Sequence, residues 1–176
     1  MSRIERIEEM RLTPEDEQGI VTLLHRAFGT DFDGRSYYKQ RHHLRLVWRD
    51  DGRIIGHMAL CMRDVRLADR LTPIIGLAEV ATDPDHRGRG IASALMVAAI
   101  EEAKASLAEF FLLFGDQPLY AASGFVPQAN PYIAIGMDGA RTGQVESRAA
   151  EALMVLPLRG GTWDGAATLD LLGPVF

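Results

Sequence analysis

The sequence has 176 residues, 47% of them hydrophobic, and a formal net charge of −5 at neutral pH. This length predicts one globular domain, residues 1–176, with a core large enough for a sheet under helices on both faces. The negative charge argues against general nucleic-acid binding, which depends on basic surfaces. No stretch reaches the roughly 18 apolar residues of a membrane span, and the charged N-terminus is unlike a signal peptide. We therefore expect a cytoplasmic protein that binds neither nucleic acid nor membrane.

Alternating apolar and polar residues, turn signals and caps predict the elements in chain order. We expect a strand at 6–12 and then a helix at 13–28, capped by Thr13 with Pro14 in its first turn. Three strands follow at 44–51, 53–67 and 71–83, the last of them buried on both faces. The remaining predicted elements are a helix at about 90–108, a strand at 109–116, a short helix at 117–123 and strands at 125–138, 151–158 and 167–172. This order indicates an α+β domain built on a mixed central sheet.

The single cysteine and the histidines give little sign of chemistry on their own. Cys61 lies in the alternating run "HMALCMRDVRL" and is interpreted as a small strand residue; a catalytic thiol would need a histidine and an oxyanion site nearby. His42 and His43 are expected at the surface, and His57 within a strand. No pair has metal-ligand spacing supported by other ligands, so we predict no metal site.

Chemistry-bearing residues are concentrated where the third of these strands gives way to a helix, in "VATDPDHRGRGIASALM". A helix start has unpaired backbone N–H groups and a partial positive charge, which suit phosphate oxygens. Gly88 and Gly90 lack the Cβ atoms that would keep a diphosphate away from those groups. Arg87 and Arg89 add positive charge, and Ala92 keeps the first turn open. The alternative is a glycine-rich turn with two surface arginines.

The pattern Arg-x-x-Gly-x-Ala from Arg87 to Ala92, preceded by Asp-Pro and a strand, resembles the acyl-coenzyme A loop of the GNAT (GCN5-related) N-acetyltransferases. The segment "GDQPLYAASGFVP" is also similar to that family, which has a tyrosine before a Gly-Phe pair in this position. Other phosphate loops fit less well, because Gly-Lys-Ser/Thr is absent and the spacing of a dinucleotide fingerprint is not met. Together the two segments carry the resemblance.

The GNAT resemblance implies a single domain in which two parallel strands splay apart and the pantetheine arm of acetyl-CoA lies in the gap. Here those strands are "GLAEVAT" and "EFFLLFG", and the first is expected to end or splay at Pro84, which cannot donate to a ladder. Acetyl-CoA is thus the implied cosubstrate. The implied coenzyme-binding residues are Val80, Ala81, Thr82, Arg87, Gly88, Arg89, Gly90, Ala92 and Ser93.

The resemblance also implies two catalytic residues. Tyr120 matches a phenol that protonates the departing thiolate; the alternative is a core tyrosine with its hydroxyl at the surface. Glu79 is the candidate base, because an ammonium ion has no lone pair for attack on a thioester. Strand residues alternate between faces, so the sequence leaves open whether Glu79 faces the substrate.

The acceptor is expected to be a small primary amine. Asp31 and Asp33, in the loop that forms one wall of the acceptor site in the family, would attract a cation, or alternatively cap a following helix. Phe176 is expected at the same site. The sequence is also similar to aminoglycoside 2'-N-acetyltransferases and nodulation N-acyltransferases, which act on aminosugars, and many family members form homodimers.

Three functions remain open on the sequence. The first is acetyl transfer to an amine by direct attack on the thioester. The second is transfer of a longer acyl group, with "EFFLLF" and "IAIGM" lining a tunnel, although ordinary core packing also explains these apolar runs. The third is a non-catalytic sensor of acyl-CoA.

Overall fold

The computed structural model describes residues 3–30 and 32–176, so the predicted acceptor residue Asp31 lies outside the described residues. Within those ranges the chain forms ten strands and three α-helices. The strands are β1 (Arg3–Glu8), β2 (Leu44–Asp50), β3 (Arg53–Leu67), β4 (Arg70–Thr82), β5 (Phe110–Phe114), β6 (Val126–Gln128), β7 (Pro131–Asp138), β8 (Arg141–Ala149), β9 (Leu153–Pro157) and β10 (Leu169–Asp170). The helices are α1 (Pro14–Phe28), α2 (Ile91–Ala105) and α3 (Pro118–Ala122).

One mixed sheet contains all of these strands. One branch has the order β1-β2-β3-β4-β5-β9-β6, and the far end of β3 continues to β10, β7 and β8. The pairs β4–β5 and β7–β10 are parallel and the other pairs are antiparallel. The predicted α+β class with a mixed central sheet is therefore confirmed. Among the described residues, no helix is long and apolar enough to cross a membrane.

The two long helices cover opposite faces of the sheet. Ile20 of α1 packs in one apolar cluster with Val47 of β2, whereas Leu95 of α2 packs in another with Leu46. Neighbouring residues of a strand point to opposite faces, so the helices lie on different sides. The predicted cap of α1 is also present, since the Thr13 hydroxyl accepts from the Asp16 amide at 3.1 Å.

The parallel pair β4–β5 separates as the GNAT resemblance implies. Their pairing ends at Leu77 and Leu113, whereas β4 continues beside β3 as far as Thr82. A β-bulge interrupts the β3–β4 register at Glu79, whose φ is +46°. Strand β4 ends just before Pro84, as predicted. The two parallel strands part earlier, before the bulge, so Pro84 does not mark the splay.

Two other expectations about elements are wrong in detail, and one strand was not predicted. The opening strand covers 3–8 and not 6–12, and Glu9–Arg11 form a 3-10 turn. The predicted strand at 125–138 is two strands, because β6 pairs with β9 while β7 pairs with β8 and β10. Strand β8 was not predicted, because its sequence has no apolar alternation. In the structure, eight of its nine residues are exposed.

Candidate active site

The N-terminus of α2 is open and shaped by two glycines. Gly88 and Gly90 both have φ of +76°, a left-handed conformation that other residues rarely adopt. A Cβ at either position would have no protein atom within 4 Å, so the space in front of them is empty. The Ala94 amide donates to the Gly90 carbonyl at 3.0 Å as the helix begins. The amides just before Ala94 have no carbonyl one turn back and are available to an anion.

A buried carboxylate holds the loop that leads into α2. Asp83 accepts from Arg26 Nε at 2.9 Å and Nη2 at 3.3 Å, and from the Asp85 amide at 3.0 Å. Chiefly because of Arg26, the pKa of Asp83 falls to about 2. Arg87 is fixed separately, by donating from Nη2 to the Ala27 carbonyl at 3.3 Å. The end of α1 and the start of α2 are thus held together by side chains.

This loop borders the larger cavity, which has a volume of about 960 Å³. It brings together most of the predicted coenzyme-binding residues and Tyr120. Arg89 does not line it, and its Nη2 lies 3.7 Å from an Asp50 oxygen instead. The predicted residues that do line the larger cavity are Val80, Ala81, Thr82, Arg87, Gly88, Gly90, Ala92, Ser93 and Tyr120.

Tyr120 lies in the short helix α3 and is 7% exposed. Its ring packs on Gly115, where a Cβ would come within 2.7 Å of the ring carbon Cε2. Burial and, secondarily, Asp116 raise the pKa of Tyr120. The phenol therefore stays protonated at neutral pH, and Tyr120 lines the larger cavity.

The smaller cavity, of about 540 Å³, adjoins the larger one. Phe28 lines both cavities. Along β4, Ala78 and Glu79 line the smaller cavity, whereas Val80 and Ala81 line the larger one. The β-bulge thus stands where the two cavities meet. The remaining walls of the smaller cavity are aromatic and charged, and include Phe32, Asp33, Arg35, Tyr38, Lys39, His42, Asp138 and Phe176.

The Glu79 side chain faces the smaller cavity, which answers the question that the sequence left open. Its Oε1 accepts from the Tyr38 amide at 2.8 Å, and its Oε2 lies 2.5 Å from His42 Nε2. Burial alone would raise the pKa of Glu79, but the contacts with His42 and the Tyr38 amide outweigh it and the pKa is lowered. Glu79 is therefore an ionised carboxylate at neutral pH.

His42 is buried, with a side chain only 1% exposed, so the expectation of a surface residue is wrong; its neighbour His43 is exposed as predicted. Burial alone would lower the pKa of His42. Contacts with Cys61 and Glu79 outweigh that effect and raise it. Cys61 is a buried strand residue, as predicted, and contact with His42 and Arg63 lowers its pKa against the effect of burial.

A second buried histidine, His57, contacts the backbone of the bulge. His57 Nδ1 lies 2.8 Å from the Glu79 carbonyl oxygen, and its Nε2 lies 3.3 Å from Arg45 Nη1. Burial, and then Arg45, lower the pKa of His57 to about 3, so the ring is neutral. Because arginine only donates, Nε2 must accept and Nδ1–H must donate to Glu79. Arg45 is fully buried and pairs with both Glu9 oxygens, at 2.7 and 3.1 Å.

The predicted acceptor residues have different environments. Asp33 lines the smaller cavity and pairs with Arg35 at 3.0 Å. Residues 32–43 contain no helix, so Asp33 does not cap one. Phe176 lines the same cavity, with its ring over Gly76 and the Arg63 guanidinium carbon 5.2 Å from its centroid. The described part of the chain has no group of three metal-ligating side chains.

The splayed sheet, the open start of α2 and the buried tyrosine together define a GNAT-type N-acetyltransferase. The sequence model described as "Acetyltransferase (GNAT) domain" matches residues 9–127. The chain therefore belongs to the GNAT acetyltransferase family, and the GNAT resemblance is confirmed.

Individual relatives agree with this assignment. The chain is 34% identical over 121 residues to the uncharacterized N-acetyltransferase YhbS of Escherichia coli K12, a match that spans 64% of this chain and 69% of YhbS. The crystal structure of E. coli YhbS with CoA superposes on this chain with a TM-score of 0.63 and 22% sequence identity. The match covers 97% of this chain and 88% of that chain. The structure of a GNAT family acetyltransferase from Brucella melitensis in complex with acetyl-CoA matches with a TM-score of 0.61 and 18% sequence identity. This match covers 94% of each chain.

Some other solved matches are longer proteins, of which this chain spans 33%. At such identities the solved structures show the fold alone. The finer resemblance to enzymes that act on aminosugars stays a prediction.

Proposed function

We propose that the chain transfers an acetyl group from acetyl-CoA to the primary amine of a small molecule. The observation that carries this proposal is the meeting of two cavities at the β4 bulge. One cavity has the open start of α2 and the other has aromatic and charged walls. A thioester and an amine would then approach each other beside Glu79, with Tyr120 on the coenzyme side.

We expect the coenzyme to bind in the larger cavity, which is lined by the start of α2 and by the end of β4. The amides at the start of α2, Gly88 and Gly90 would receive the diphosphate, with Arg87 beside them. The edge of β4 at Val80 lies beyond the last pair with β5 and is unpaired on that side. It would receive the pantetheine amides in the manner of an added strand. Acetyl-CoA would supply an acetyl thioester, whose carbonyl carbon is open to attack by an unprotonated amine.

On the two sides of the bulge, Glu79 would accept a proton and Tyr120 would donate one. Glu79 accepts a proton from the acceptor ammonium group and so frees the lone pair of its nitrogen. As the nitrogen–carbon bond forms and the carbon–sulfur bond breaks, Tyr120 donates its proton to the sulfur. Tyr120 regains a proton when the new amide nitrogen loses one. One proton leaves to solvent for each acetyl group transferred.

The acceptor would lie in the smaller cavity. Phe28, Phe32 and Tyr38 offer apolar contact, and Asp33 is a carboxylate at its edge. Phe176 would form the opposite wall. This mixture of aromatic and charged walls suits a small polar amine, and an aminosugar is one acceptor of that class.

The structure favours acetyl over a longer acyl group. Phe110, Phe111, Leu112 and Leu113 of β5 are all at most 2% exposed and pack in the two large apolar clusters. They line neither the larger nor the smaller cavity. These β5 residues are thus core, as the alternative of ordinary packing predicted, and offer no wall to a tunnel for a long acyl chain.

Free-thiol release from acetyl-CoA tests the proposal over a panel of primary amines that includes aminosugars, with tertiary amines as inert controls. We expect release with at least one primary amine and a product carrying one acetyl group by mass spectrometry. Octanoyl-CoA should be turned over far more slowly. Calorimetric binding of acetyl-CoA without release on any amine would contradict the proposal and favour the sensor.

A further inference from the structure

We propose that His42 is a positioning residue that acts with Glu79 as one proton-accepting dyad, in which the proton taken from the acceptor amine by Glu79 comes to rest on His42. This inference rests on the proposed function, because it concerns the amine that Glu79 would meet. It assigns a role to a histidine that otherwise has no part in the reaction.

Geometry carries the proposal. His42 Nε2 lies 2.5 Å from Glu79 Oε2 in an ion-pair contact that is not aligned as a hydrogen bond, and the side chains are 1% and 6% exposed. Both residues line the smaller cavity, where the amine would bind. The other carboxylate oxygen is held by the Tyr38 amide at 2.8 Å. Glu79 therefore contacts the cavity on one side and the imidazole on the other, with little freedom to rotate.

Glu79 alone would be a weak base for this reaction. The pKa of Glu79 is lowered, whereas a primary amine has a pKa of about 10. A carboxylate in contact with an imidazole holds one proton between two sites, and the affinity for that proton belongs to the pair. The pKa of His42 is raised above its ordinary value. The proton affinity of the dyad is therefore closer to that of the amine than the proton affinity of Glu79 alone would be.

The proton balance of the dyad is simple. In the form of the dyad that accepts a proton, the imidazole of His42 is neutral with its proton on Nδ1, and Glu79 is a carboxylate. Glu79 accepts a proton from the ammonium group and passes it to the unprotonated Nε2 of His42, which leaves an imidazolium beside a carboxylate. Loss of that proton to solvent restores the dyad.

Other charged groups around His42 come from three strands and the turn after β1. Cys61 on β3 contacts the ring, while Arg45 on β2 disfavours its protonation. Arg45 is already paired with Glu9, and His57 on β3 is neutral. Glu79 on β4 is thus the carboxylate in direct contact with His42, and its removal should lower the pKa of the ring.

The first test is the pH profile of kcat/KM with two acceptors whose amine pKa values differ. The dyad predicts an acidic limb with one apparent pKa above 6.5 that is the same for both acceptors. A limb that follows the pKa of each acceptor would overturn the proposal, since the amine would then lose its proton before binding. This test uses only the wild-type chain.

The second test compares His42→Gln with His43→Gln, a matched change of the exposed neighbour. We expect His42→Gln to lower kcat/KM at pH 7 on the order of a hundredfold and to shift the acidic limb to the pKa of the acceptor. His43→Gln should retain both the rate and the limb. An unchanged limb in a folded His42→Gln protein contradicts the dyad.

A third test needs no activity. The imidazole of His42, assigned in the NMR spectrum by comparison with His42→Gln, should titrate above pH 6.5 in the wild type and at a lower pH in Glu79→Gln. The same titration in both proteins overturns the dyad. Failure of every amine in the turnover assay would instead remove the proposed function, so the two failures are distinguishable.

Discussion

The two sides of the β4 bulge are built in different ways. The larger cavity is formed largely by short contiguous segments, the start of α2 with its loop and the helix that carries Tyr120, and its polar groups include backbone amides. The smaller cavity is backed by side chains from distant segments, with Glu9, His42, Arg45, His57 and Glu79 in one buried network.

This difference predicts different responses to mutation on the two sides of the bulge. A backbone site needs only glycines and a helix start, so it tolerates changes in most surrounding side chains. A buried ionic network depends on every partner, because a single missing charge leaves another one buried without compensation. We expect mutations to affect stability more on the acceptor side and coenzyme binding more on the α2 side.

The largest expected effect is the loss of the buried guanidinium on the acceptor side. Arg45 pairs with Glu9, and its Nη1 also lies 3.6 Å from Glu79 Oε2. Arg45→Met would leave both carboxylates without this buried cation and should lower the free energy of unfolding by about 3–5 kcal/mol. Urea unfolding measures this. Arg66→Met, at an exposed arginine on β3, should cost no more than about 0.5 kcal/mol. Equal losses in the two variants would contradict the network.

The next effect concerns proton donation on the coenzyme side. Tyr120→Phe removes only the hydroxyl and should lower kcat on the order of a hundredfold, with little change in the calorimetric Kd for CoA. Tyr132→Phe is the matched control, because Tyr132 is also buried but lies on β7. A Tyr120→Phe enzyme with wild-type kcat would remove this tyrosine from the mechanism.

Asp83 allows a test of the link between α1 and α2. The pKa of Asp83 is lowered, mainly by Arg26, to about 2. The ionised carboxylate therefore stabilises the fold fully at pH values above the ordinary pKa of an aspartate, and this stabilisation is lost as the pH falls toward 2. Asp83→Asn should cost about 2 kcal/mol at pH 7 and about half as much at pH 3, measured by urea unfolding. The exposed partner of Arg26 serves as control: Asp85→Asn should change stability by less than about 0.5 kcal/mol.

The smallest effect is expected at the loop glycine. Gly90→Ala places a methyl group in the space where we expect the diphosphate to bind. This change should weaken CoA binding by about tenfold or more. Gly160→Ala is matched in conformation, because Gly160 has φ of +72° and open space around it but does not line the larger cavity. Both variants should lose similar stability, and only Gly90→Ala should lose affinity. Equal affinities would place the diphosphate elsewhere.

The same contrast explains what the sequence could predict. The start of α2, Tyr120 and most strands follow from local signals such as glycine spacing, caps and alternation, and the structure places most of these predicted residues around one cavity. Of the buried network, only Glu79 was singled out from the sequence. His42 and Arg45 resemble surface residues until β2, β3 and β4 bring them together. One hint was available: His57 and Arg45 interrupt otherwise apolar strands, and a buried polar residue in such a position requires partners.

Backbone detail was also beyond local pattern. The bulge at Glu79 arises from the register between β3 and β4, which no short stretch encodes. Strand β8 is polar and exposed, so only its pairing with β7 defines it.

A crystal structure of the chain with acetyl-CoA and a tightly bound amine would test the central claim most directly. We predict the diphosphate at the amides between Arg87 and Ser93, the acetyl group between Val80 and Tyr120, and the amine nitrogen beside Glu79. A coenzyme bound outside the larger cavity, or an amine separated from Glu79 by the wall of β4, would contradict it.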